Sequence, residues 1–213
     1  MSDDTQLDDV PTEEPFPVNP DTDTAIDHEK AQEGVKLLLE AIGEDPEADG
    51  LTDTWQRRVP DMLETLSEGS RQREKPTMRT FEATNDDLVV KTGIPLYSLC
   101  EHHMLPYRGT AHIAYRPAGE VVGLSKLIRY VRWQSRRLTM QEELTQDIAH
   151  GLADELGAES VIVEVSATHM CEAMRGIETE TTTTTRATVG SPTNDERERF
   201  RDAISRTNNG ETL

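Results

Sequence analysis

The order of hydrophobic periods along this chain predicts an α+β fold, with an antiparallel sheet carrying helices on one face and further helices ahead of it. Three observations predict it. Apolar residues recur at helical spacing through the first third of the chain, then give way to β-branched and aromatic runs over 86–116. The same switch happens again, from helical spacing over 124–156 to strand-like composition over 160–189. Within each strand pair the connection is short, which favours antiparallel neighbours and helices packed on one sheet face.

Residues 1–23 hold eight acids, four prolines and no Lys or Arg, and read as a solvated tail. Ile26, Val35, Leu38, Leu39 and Ile42 can share one helix face, and Gly43 marks its stop. A second helix is expected from Thr52 or Asp53 with Trp55, Val59, Met62, Leu63 and Leu66, kinked or broken at Pro60. Residues 68–78 read as a polar loop, and 86–99 and 107–116 as strands. Leu124, Leu127, Ile128 and Val131 have the spacing of a helix. Thr139 and Glu142 match a capping box, opening a helix with Leu144, Ile148, Leu152 and Leu156 on one stripe and a stop at Gly157. Strands are expected at 160–168 and 176–189, the second through the threonine run 181–185. Phe200 and Ile204 fall in a charged stretch expected to form a short helix with a frayed end. The units are a tail at 1–23, a helical region at 24–70, a sheet-bearing catalytic domain at 79–190, and a C-terminal helix and tail at 191–213.

The formal net charge is −19, from 41 acids against 22 bases. Phosphate backbones and anionic lipid surfaces repel such a chain, so general nucleic-acid or membrane-surface binding is excluded as its main business. Seventeen of the bases are arginine and five lysine. The acid surplus reads as a coat suited to high salt, where screening removes self-repulsion, as in a halophilic archaeon. No apolar stretch is long enough for a membrane span and no signal pattern opens the chain, so a cytoplasmic location is expected.

The two cysteines, Cys100 and Cys171, lie in LCEHH and HMC. In a reducing compartment such a pair is more often metal-binding or catalytic than a disulfide. Two thiolates and an imidazole, from Cys100, His103 and Cys171, form a donor set suited to zinc. Three ligands leave a fourth position open, as in catalytic sites, and that position lowers the pKa of water to about 7. The spacing leaves open whether His102 or His169 closes the set, and whether the cysteines are simply buried small hydrophobes. A histidine that is not a ligand can shuttle protons. The H-x-E and P-C-x-x-C pattern of zinc nucleobase deaminases is missing.

Against this acidic background, 126–137 holds Lys126, Arg129, Arg132, Arg136 and Arg137 and no acid. Ser125 and Lys126 at a helix start offer free N–H groups and the positive dipole end, suited to phosphate. Glu142, beside Gln141, is either a cap partner or a carboxylate able to accept from guanine N1–H and its exocyclic amine.

Taken together, SLCEHHMLPYRGTAHIAYRP (98–117), VVGLSKLIRYV (121–131), RLTMQEELT (137–145) and HMCEAMRG with the following Thr-rich strand (169–185) resemble zinc-dependent GTP cyclohydrolase I, over residues 24 to about 190. The resemblance implies the tunnelling fold and a toroidal homodecamer of two pentamers with active sites at subunit boundaries. It implies conversion of GTP and water to 7,8-dihydroneopterin triphosphate and formate, serving pterin and folate pathways or tRNA deazaguanine modification. By this likeness Cys100, His103 and Cys171 are the Zn2+ ligands, and His102 and His169 the proton-transfer pair. Glu142 with Gln141 holds the guanine, and Ser125, Lys126, Arg129, Arg175 and Arg58 contact triphosphate or ribose. The sequence departs from the family at DTWQRRVPDM (53–62), where Asp61 stands at an often basic position, and at Glu172, where an apolar residue is usual. A related pterin or deazapurine enzyme of the same fold, and a non-catalytic zinc or nucleotide-binding module, are the competing readings.

Overall fold

The computed structural model describes residues 26–210. The acidic tail expected at 1–23 lies outside the described residues, as do 211–213. Helix α1 (His28–Ala41) starts at Asp27, whose carboxylate accepts from the Lys30 N–H at 3.0 Å. On its apolar side Val35 and Leu39 are partly buried, whereas Leu38 and Ile42, just past its end, are 66% and 73% exposed. The next helical stretch takes a wide π turn over Thr54–Arg58 and then becomes α2 (Val59–Leu66). Pro60 follows the π turn directly, within a helical run that continues from Thr52 through Leu66. The expected break at Pro60 is thus a change of helical pitch. Residues 68–74 are two short 3₁₀ turns rather than a structureless loop.

Strand β1 (Thr80–Glu82) pairs antiparallel with β4 (Glu120–Val122) in a small two-stranded sheet. Three residues are too few to show a period, so neither strand was legible in the sequence. The main sheet contains β2 (Val89–Cys100), β3 (Pro106–Arg116), β5 (Leu138–Thr139), β6 (Ser160–His169) and β7 (Thr183–Gly190), in the order β5-β2-β3-β6-β7. The four long strands are antiparallel, as expected. The two-residue β5 runs parallel to the end of β2, placing Thr139 beside Cys100.

Two helices, α3 (Leu124–Ser135) and α4 (Gln141–Leu156), lie on one sheet face. Leu144, Ile148, Leu152 and Leu156 form the buried stripe of α4, and Leu127 and Val131 that of α3. Leu124 and Ile128, expected on the same stripe of α3, turn outward. The two helices approach closely because Gly151 has no side chain: a Cβ there would lie 1.9 Å from the Tyr130 hydroxyl. The core between helices and sheet includes Ile94, Leu96, Ile113, Tyr115, Val161, Val163 and Val165.

Three further expectations are corrected. The capping box at Thr139 and Glu142 does not form. Met140 is the N-cap of α4, and Thr139 belongs to β5, where its hydroxyl donates to the Met140 carbonyl. Sheet pairing claimed the threonine first. The strand expected from 176 begins only at Thr183, because Met170–Ala173 coil into a single helical turn, α5, and a loop follows it. The C-terminal segment forms α6 (Asn194–Asn208), 15 residues long, and its N-terminus carries the true capping box, Thr193 with Glu196. Phe200 and Ile204 of α6 pack on Leu88, Ala114 and Ile162. Ala114 and Ile162 alternate along β3 and β6 with the residues facing α3 and α4, so α6 covers part of the opposite face.

Candidate active site

The expected ligands meet at one end of the sheet. β2 stops at Cys100, and the Cys100 carbonyl accepts from the N–H groups of His103 and Met104 at 3.3 and 2.8 Å. This tight reversal, with Met104 at φ 54°, brings His103 Nδ1 to 3.7 Å from Cys100 Sγ. β3 leads away and pairs with β6, whose last residue is His169. The single turn of α5 then swings Cys171 back. One ligand atom from each of Cys100, His103 and Cys171 lies within 4.8 Å of the others. Two thiols and one imidazole so close together fit zinc, and this cluster is built to coordinate a metal ion. Burial, and then the neighbouring Cys100, push the Cys171 thiol above its ordinary pKa. A bound cation reverses that logic by favouring the thiolate.

The two other histidines differ sharply. His102 projects from the β2–β3 turn with its side chain 60% exposed, its Nε2 lying 3.7 Å from a Glu101 carboxylate oxygen. Its ring meets that of His103 edge-on, 6.1 Å between centroids. Glu101 is the carboxylate facing His102 at this distance. His169 is held rigidly. Its Nε2 is 2.8 Å from Gln141 Oε1, and its ring stacks on Tyr107. Tyr107 was not singled out in the sequence. The strand register would have found it, since Tyr107 is the cross-strand partner of His169.

Gln141 and Glu142, the first residues of α4, sit together but are used differently: Gln141 is 1% exposed, whereas Glu142 is open to solvent. Arg175, exposed, follows the turn carrying Cys171. Glu172 accepts a hydrogen bond from the Thr181 hydroxyl at 3.0 Å, which ties α5 to the loop leading into β7.

The remaining basic residues stand elsewhere in the chain. α3 leads at its C-terminal end to β5 and Cys100, so Ser125, Lys126 and Arg129 lie toward its far end, with Lys126 about 14 Å along the axis from Ser135 at ~1.5 Å per residue. Arg136 and Arg137 are taken by Glu68 and Asp147. Lys126, Arg129 and Arg132 have no ion-pair partner among the described residues. Arg58 is exposed, 3.4 Å from Asp53, and Asp61 lies 3.9 Å from Arg57. One chain therefore brings together the metal cluster, His102, His169, Gln141 and Glu142, and leaves the start of α3 apart. Among the described residues no helix is long and apolar enough to cross a membrane.

The sequence profile described as GTP cyclohydrolase I matches residues 31–205. The chain is 52% identical over 152 residues to the GTP cyclohydrolase 1 of Hyperthermus butylicus, covering 71% of this chain and 77% of that protein. It is 46% identical over 153 residues to the GTP cyclohydrolase 1 of Clostridium perfringens, covering 71% and 82%. With that of Halalkalibacterium halodurans it shares 44% identity over 173 residues, covering 80% and 92%. A curled sheet with helices on one face, a three-donor metal cluster at its end and these matches along most of the chain agree, and the chain belongs to the GTP cyclohydrolase I family, whose activity produces dihydroneopterin triphosphate from GTP.

Proposed function

We propose that the Cys100/His103/Cys171 end of the sheet is where GTP and water become 7,8-dihydroneopterin triphosphate and formate, with the guanine imidazole ring opened at C8. The observation that carries this reading is a set of three ligands flanked by two histidines that the set does not use. When bound, zinc supplies Lewis acidity, lowering the pKa of water from 15.7 to about 7. Glu142, exposed beside the buried Gln141, accepts from guanine N1–H and the exocyclic amine, which fixes the purine in one orientation. His169, held by its neighbours, moves protons at the reacting purine. His102, exposed on a turn, exchanges protons with bulk water.

The triphosphate needs more positive charge than Arg175, beside the Cys171 turn, supplies. Ser125, Lys126 and Arg129 at the start of α3 supply it to the site of a neighbouring copy, with Arg175 from the same chain and Arg58 reaching across another boundary. Three features support such an assembly. Among the described strands, most of β2 and all of β7 leave one edge without a partner. An open edge is a template for a second chain. α1 also exposes part of its apolar side. Edge-to-edge joining into pentamers, and pairing of pentamers into a decamer, is the assembly proposed. The location is cytoplasmic, and the −19 charge disfavours a nucleic-acid partner.

The test incubates zinc-loaded protein with GTP in high salt and measures formate together with fluorescent pterin after oxidation. One formate per pterin is expected. Protein that retains zinc and binds GTP yet releases no formate overturns the reaction. Mass measurement by light scattering tests the decamer, and a stable monomer with full activity rules out a shared site.

A further inference from the structure

The side chain of Gln141 is spent entirely inside the protein. Its Nε2 lies 3.0 Å from the Val165 carbonyl, 3.0 Å from the Thr183 carbonyl and 3.1 Å from Thr185 Oγ1. Its Oε1 faces His169 Nε2 at 2.8 Å. The two carbonyls can only accept, so the amide cannot be turned over without setting oxygen against oxygen. The nitrogen must face the β6 and β7 backbones, and the oxygen must face the imidazole.

The surrounding hydroxyls reinforce this orientation. Thr145 Oγ1 donates to the Gln141 carbonyl at 2.7 Å, so it accepts from Thr185 Oγ1 at 2.6 Å, and Thr185 in turn shares one of the two Gln141 amide hydrogens with a backbone carbonyl. The ring of bonds closes with each hydroxyl donating once, and it joins α4 to β7. Gln141 and Thr145 are each 1% exposed, so water does not compete for these groups.

We infer that Gln141 is a positioning residue that sets the tautomer of His169, and not a contact to guanine. An amide oxygen can only accept, so His169 Nε2 must carry hydrogen, and in the neutral ring Nδ1 is left with the free lone pair. Stacking on Tyr107 fixes the plane of the ring, and the Gln141 bond fixes its rotation within that plane. The ring therefore presents a single nitrogen, Nδ1, for proton transfer. That use of Nδ1 rests on the reaction proposed above; the tautomer itself does not.

Neutron diffraction from crystals of the zinc-loaded protein grown in D2O reads the hydrogen directly. Deuterium on His169 Nε2, with the Gln141 amide deuterons facing Val165 and Thr183, is the expected result. A bare Nε2, or an inverted amide, overturns the inference. In kinetics, Gln141→Leu is expected to lower kcat by about 10²-fold, the scale of a positioned acid–base, with KM for GTP and zinc content unchanged. A raised KM with kcat preserved marks a guanine contact and overturns it. The diffraction result needs neither the variant nor turnover. Native protein that releases no formate but carries deuterium on Nε2 refutes the reaction while upholding the tautomer.

Discussion

The imidazole of His169 lies parallel to the phenol ring of Tyr107, with centroids 4.6 Å apart and planes 13° apart. Tyr107 is fully buried, and burial pushes its hydroxyl above the ordinary tyrosine range, so the ring stays neutral throughout the working pH range. It acts on His169 as a flat apolar plate. Tyr107→Phe keeps that plate and is expected to retain near-normal turnover. Tyr107→Ala removes it, and large-to-small changes of this kind cost about 3–5 kcal/mol. Urea unfolding and steady-state kinetics on both variants check the contrast. Equal loss of kcat in the two would give the hydroxyl, rather than the ring, the main part.

The division of LCEHH into ligands and proton carrier is tested by metal content. Cys171→Ala leaves one thiol and one imidazole, and is expected to lose both zinc and activity. His102→Ala keeps the three-ligand set and is expected to retain zinc while turnover drops by about 10²-fold or more. Elemental analysis after gel filtration separates the two outcomes. Loss of zinc from the His102 variant would show the ligand assignment to be wrong.

A third histidine makes the fold sensitive to acid. His112 on β3 is 2% exposed, and its Nδ1 accepts from the Gly93 N–H at 3.3 Å, within the register shift of β2. Burial lowers its pKa from the ordinary 6.5, and the Glu164 carboxylate opposite opposes that in part. Glu164 is itself paired with Arg186 of β7. The folded protein thus holds His112 neutral while the unfolded chain protonates it near pH 6.5. Its contribution is full above the unfolded value and is lost as pH falls through the lower folded value. Denaturant midpoints from pH 8 to pH 5 should fall more steeply for the native protein than for His112→Gln. Parallel curves would remove His112 from the account.

The C-terminal helix is anchored at its start. Thr193 Oγ1 accepts from the Glu196 N–H at 3.2 Å, and the Glu196 carboxylate accepts from the Thr193 N–H at 2.6 Å. Thr193→Ala is expected to cost about 1 kcal/mol, typical for loss of an N-cap. Hydrogen exchange along α6 should rise with it, while zinc content and KM remain unchanged. Unchanged exchange in the first turn of α6 would show that Phe200 and Ile204 hold the helix without the cap.

The metal cluster was legible because its chemistry is rare. Two cysteines in the whole chain, each two residues from a histidine, admit few other uses, and the three expected ligands do converge. The stripe of α4 was equally legible, since four leucine or isoleucine residues at helical spacing can be buried in only one way. Thr139 was misread because a capping box is a local pattern, and tertiary pairing of β5 with β2 overrode it. The outward turn of Leu124 and Ile128 was invisible because periodicity shows that a helix has an apolar side without showing how much of that side meets a partner.

The sequence by itself determined the long helices and strands, the candidate donors Cys100, His103 and Cys171, and the family, because each rests on residue type and short-range spacing. The tertiary structure alone decided which neighbours share a site. It set Tyr107 across from His169 through strand register, turned the Gln141 amide away from solvent, and held the basic start of α3 away from the metal end. Those relations depend on how distant segments pair and which hydrogen-bond donors remain unspent, and no local pattern carries that information.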